Sequence, residues 1–136
     1  MKQENINKYI GIPFKEMNCY DLVSYIYKEE LGLILPTQRE LQIRIETLDE
    51  VDVSIREETQ RLRGQFKEID ELRENCIVQI DTKCLGVGNH LCFYTGYQDK
   101  VIDTDLVIGK SHLKSYNIYS KDMIVGYFVY EKHSSK

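Results

Sequence analysis

No stretch of the 136 residues approaches the roughly 20 apolar residues of a membrane-spanning helix, so no membrane insertion is expected. The first residues, MKQENINKYIGIPF, hold no apolar run long enough for a secretory h-region, and no cleavable export signal is expected either. An excess of positive charge is also missing. With a formal charge of −4 and a pI near 5.4, the chain offers no basic face to neutralise nucleic-acid phosphates or anionic lipid, and no nucleic-acid partner is expected. Cys19, Cys76, Cys84 and Cys92 contain no CxxC pair, which argues against a structural zinc, and without a secretory context they read as reduced thiols. Internal repeats and low-complexity tracts are absent.

What is present is enough for a core. A 16.0 kDa chain with 42% hydrophobic residues buries roughly 68% of its unfolded surface, so residues 1–136 read as one domain that needs neither disulfide nor metal. Three zones differ in composition. Residues 1–36 are apolar and aromatic, and residues 76–131 are rich in Val, Ile and Tyr. Between them, 18 of the 36 residues from Arg39 to Glu74 are charged, including all six Arg, with Phe66 the only aromatic. That composition predicts a solvated, charged helical insert at about 37–75 rather than core, and it lacks the Gly, Ser and Pro of a linker.

The clearest helix starts at the N-cap residue Asn18, with Cys19, Leu22, Val23, Ile26 and Tyr27 at one-face spacing; Gly32 fits the position beyond its end and Pro36 prevents continuation. A second helix is predicted from Ser54, boxed with Glu57, to a stop at Gly64. Thr37 and Glu40 suggest a further capping box, yet Leu41, Ile43 and Ile45 alternate as in a strand. From Cys76 the runs CIVQI, HLCFYT, KVIDTDLVI and MIVGYFVY read as strands, with Gly86 and Gly88 in the first gap and a tight turn at Gly96 and Asp99. Helices first and strands later is the pattern of an α+β domain with an antiparallel sheet.

Cys19 falls in the first turn of the first helix, where the dipole and backbone N–H groups favour a thiolate; the alternative is a buried member of the stripe it shares with Leu22 and Val23. Of three histidines, His133 lies in a polar tail and His112 in an apparent turn, whereas His90 opens a strand that can hold its ring against a helix end. Cys19 and His90 are therefore the natural nucleophile and base. Asp103 is the candidate to orient the imidazole, although strand period does not separate it from Asp105, and both also read as solvated hairpin residues. The ten Tyr, all outside the charged segment, fit either a sugar- or peptide-binding cleft or the edge of the core.

The segment YIGIPFKEMNCYDLVSYIYKEELGLILP resembles the nucleophile region of the NlpC-like cysteine peptidases, particularly the versions found in bacteriophage tails. HLCFYTG is similar to that family's His-bearing strand, KVIDT to the next strand, RENCIVQI to its Gly-Asp-x-Val strand and MIVGYFVY to its closing strand, so the resemblance runs from Tyr9 to Tyr130. It implies a papain-like fold in which the Cys-bearing helix packs on an antiparallel sheet. It also implies hydrolysis of an amide in the peptidoglycan stem peptide, with Cys19 as nucleophile, His90 as base then acid, Asp103 holding the ring, and neither metal nor organic cofactor. Phage tail proteins are the further partners implied. The implied setting is a protein made in the bacterial cytoplasm and carried in the virion or released at lysis.

Three features depart from the family pattern. Asp103 stands where His, Asn or Gln is usual, Phe14 follows Pro13 where many members have Tyr near the oxyanion site, and the Gly-Gly stretch before the nucleophile is absent. The resemblance leaves the Cys19 N–H as the expected oxyanion donor; loss of another donor typically costs on the order of 10² to 10³ in rate. Two other readings use the same residues: a catalytically weak or inactive structural module of a phage tail tip, and an intracellular papain-fold acyltransferase or amidase.

Overall fold

The Val- and Ile-rich C-terminal half forms one antiparallel sheet, and the computed structural model describes it with its covering helices over residues 1–43, 55–81, 89–105 and 107–131. Among the described residues four α-helices, α1 (Gln3–Ile6), α2 (Cys19–Ile26), α3 (Gln38–Leu41) and α4 (Ile55–Gln65), precede the strands. The six strands are β1 (Lys67–Ile69), β2 (Ile77–Asp81), β3 (Asn89–Tyr94), β4 (Lys100–Asp103), β5 (His112–Ser115) and β6 (Ile124–Val129). They lie in the order β1-β6-β2-β3-β4-β5 with every neighbouring pair antiparallel, an α+β architecture. No helix among the described residues is long and apolar enough to cross a membrane.

Local chemistry fixes α2. The Asn18 side chain accepts from the Asp21 N–H at 2.9 Å while the Asp21 carboxylate accepts from the Asn18 N–H at 3.4 Å, a reciprocal cap that pins the helix start. Cys19, Leu22, Val23 and Ile26 then form a buried stripe. After Ile26 the helix widens into a π-type turn, Tyr27–Leu31, closed by Gly32 at φ +67°, a conformation that suits glycine.

The stripe packs on one face of the sheet, against Ile77, Leu91, Phe93, Ile102 and Phe128. Val78, Ile80, Cys92 and Val101 occupy the opposite face, over which Tyr116, Tyr119 and Met123 fold. Burial on both faces is why β2 and β3 read as near-continuous apolar runs rather than as alternation.

Several sequence expectations are corrected. The charged segment is not a merely solvated insert: Leu41, Ile43, Leu62 and Phe66 enter the core and β1 extends the sheet. Apolar residues spaced among its charges give it one buried side, which composition alone conceals. Gly64 does not stop α4, which runs to Gln65, with the Phe66 N–H bonding to the Leu62 carbonyl at 2.7 Å. His112 opens β5 instead of lying in a turn, and the KVIDTDLVI run is a strand only to Asp103. The turn between β3 and β4 is a five-residue connection, 95–99, with Gly96 at φ +73°. At the ambiguous segment the Thr37–Glu40 box forms and α3 ends at Gln42 in the left-handed conformation. Ile45, the Ser54–Glu57 box, Cys84, Gly86, Gly88 and His133 lie outside the described residues or side chains.

Candidate active site

Cys19, His90 and Asp103 come together from α2, β3 and β4. The Leu91 N–H donates to Cys19 Sγ at 3.5 Å, which seats the sulfur against the strand one residue beyond His90. The His90 ring is hydrogen-bonded to Cys19 on one side, and on the other its Nε2 meets Asp103 Oδ1 at 2.5 Å. Asp105, which the strand period left open, lies beyond the end of β4, where its Oδ1 accepts from the Ile108 N–H at 2.7 Å.

Asp103 is buried, and its carboxylate is fully engaged. Oδ1 also accepts from the Thr104 N–H at 2.8 Å, while Oδ2 accepts from Tyr119 Oη at 2.5 Å and pairs with Lys114 Nζ at 2.6 Å. Burial alone would push this acid upward, but the charges of and hydrogen bonds from His90 and Lys114 outweigh it and hold the carboxyl far below the usual carboxylate range. For His90, burial likewise opposes the charged ring. The negative charges of Asp103 and Cys19, with the hydrogen bonds to both, win and raise it well above the ordinary histidine value. An imidazole held between a buried carboxylate and a cysteine sulfur is the arrangement that thiolate–imidazolium chemistry requires.

Cys76 and Cys92 are the other cysteines among the described residues. Burial pushes Cys76 upward, and burial with the nearby Asp103 charge pushes Cys92 well upward, so both are held as thiols. Cys19 is as buried as they are, at 1% exposure against 0% for both, as expected of a member of the stripe it shares with Leu22 and Val23.

Asp103, Asp105 and His112 each bring one ligand atom within 4.8 Å of the others, the one such set of at least three among the described residues. Its central carboxylate already carries Lys114, Tyr119 and His90, with the Lys114 ammonium 2.6 Å from Oδ2. We therefore do not read the trio as metal ligands.

Lys114 and Tyr119 were not singled out in the sequence. Lys114 sits on a strand without β-branched residues, and Tyr119 is one of ten Tyr with nothing local to distinguish it. Tyr9, Tyr20 and Tyr27 are fully buried in the core rather than at its edge, whereas Tyr116, Tyr119 and Tyr127 line a groove of about 630 Å³ with Glu68, Asp70 and Lys121. Tyr119 belongs to both places, lining the groove and reaching Asp103. No protein-family model matches the chain, and a search of curated proteins returns no match.

Proposed function

We propose that this protein is a cysteine endopeptidase of the papain-like, NlpC type that cleaves an amide in the stem peptide of bacterial peptidoglycan, acting in a phage tail or on release at lysis. The observation that carries the proposal is the His90 ring held between the Cys19 sulfur and the Asp103 carboxylate. The substrate class rests on the resemblance of the Cys-, His- and Asp-bearing segments to that family.

In the proposed reaction the Cys19 thiolate attacks the amide carbonyl carbon and forms a C–S bond. The carbonyl electron pair moves to oxygen, where the Cys19 N–H in the first turn of α2 donates to it. Collapse re-forms the carbonyl and breaks the C–N bond as the His90 imidazolium gives its proton to the leaving amine. Water then attacks the thioester, His90 takes its proton, and C–S cleavage returns the thiolate and frees a carboxylic acid. Asp103 stays ionised throughout and stabilises the imidazolium. Phe14, half-buried with its N–H on the Gly109 carbonyl at 2.9 Å, has no hydroxyl to add to the oxyanion site.

Purified peptidoglycan incubated with the protein should release new amino groups, and Cys19→Ala should abolish that release. Release by Cys19→Ala at the parental rate would refute the mechanism, and no release by the folded parent would refute the substrate class.

A further inference from the structure

Asp103 faces His112 across the β4–β5 ladder, so Lys114, two residues further along β5, is the diagonal neighbour of that carboxylate on the same face. The Lys114 ammonium is 2.6 Å from Oδ2 and 4.9 Å from the centre of the Tyr119 ring, whose hydroxyl bonds the same oxygen. The carboxylate is thus divided, with Oδ1 turned to His90 and the Thr104 N–H and Oδ2 to Lys114 and Tyr119.

Resting on the reading of Cys19 and His90 as nucleophile and acid–base, we propose that Lys114 is a positioning residue that fixes the Asp103 carboxylate toward His90 and offsets its charge, so that the ring can both release and recover a proton. Among the described residues, the titratable or charged groups around the His90–Asp103 pair are Cys19 from α2, Cys92 from β3, His112 and Lys114 from β5, Tyr119 from the turn after β5, and Asp105 from the loop after β4. An ammonium held against a carboxylate weakens the pull of that carboxylate on a neighbouring imidazolium. Without Lys114 the ring keeps its proton more firmly, and the step that suffers is thioester hydrolysis, because a charged ring takes no proton from water.

Lys114 lies on the edge strand with its side chain 21% exposed, so its replacement leaves no buried void. The test is an NMR titration of isotope-labelled histidines in the full chain, with the His90 signal assigned through His90→Gln. Lys114→Met should raise the His90 midpoint by about one pH unit, and Lys114→Arg should leave it at the wild-type position. Lys114→Gln serves the same purpose if the Met variant does not fold. A midpoint that is unmoved or lowered in folded Lys114→Met or Lys114→Gln overturns the assignment, as does a wild-type His90 that titrates like a free histidine. These outcomes are independent of the wall assay. A shifted midpoint in a protein that releases nothing from peptidoglycan removes the endopeptidase reading and leaves the role of Lys114 standing.

Discussion

His90 and Asp103 tie the stability of the protein to pH as well as its proposed chemistry. The ring is held above its usual value by Asp103 and Cys19 against the opposing effect of burial, so its contribution is complete below about pH 6.5 and is lost as pH rises through the raised native value. The Asp103 carboxyl is depressed by His90 and Lys114, again against burial, so its contribution is complete above about pH 4 and is lost as pH falls through the depressed native value. Urea midpoints measured across pH should therefore form a plateau between about pH 4 and 6.5 and decline on both sides. Asp103→Asn should flatten both declines; slopes identical to those of the parent would contradict the coupling. At this scale the sequence was partly legible. Cys19 stood out by its place after an N-cap residue and His90 by its strand, but the choice of Asp103 over Asp105 needed the strand end. Lys114 and Tyr119 needed tertiary contacts that no local pattern encodes.

Among the elements, α2 matters most because it delivers the sulfur. Its reciprocal Asn18–Asp21 cap fixes the first turn in which Cys19 sits, and Gln38 Nε2 adds a contact to Asn18 Oδ1 at 3.3 Å. Asn18→Ala should lower stability by about 1 kcal/mol, and Asn18→Gly by only a few tenths, as read by thermal unfolding. Equal losses would show that the cap is not the source. This helix was readable because its signals are local: a capping side chain, a 3.6-residue stripe and a terminal glycine. The central strands were readable from their apolar content. β1 and β5 were not, because they are the two edges of the sheet, and edge strands carry charge in place of the apolar β-branched signature, here Lys67, Glu68 and Lys114.

For the whole molecule, the sheet is buried by α2 on one side and by the Tyr116–Met123 segment on the other, and the candidate site draws side chains from both sides. Cys19 belongs to the first layer, and the Asp103 network with Lys114 and Tyr119 to the second. The α+β class followed from the order of helix and strand signals, whereas the packing of Leu62 and Phe66 against the core did not, because these few apolar side chains are diluted among charges. The central claim is that this layered assembly makes one cysteine of the chain a nucleophile. Alkylation by iodoacetamide at pH 6, mapped by peptide mass spectrometry, tests it without any substrate. Cys19 is as buried as Cys76 and Cys92 but is coupled to the His90 ring, so it should react at least about tenfold faster than either, and His90→Ala should remove that advantage. Reaction of Cys19 at the same slow rate as the other two would contradict the claim.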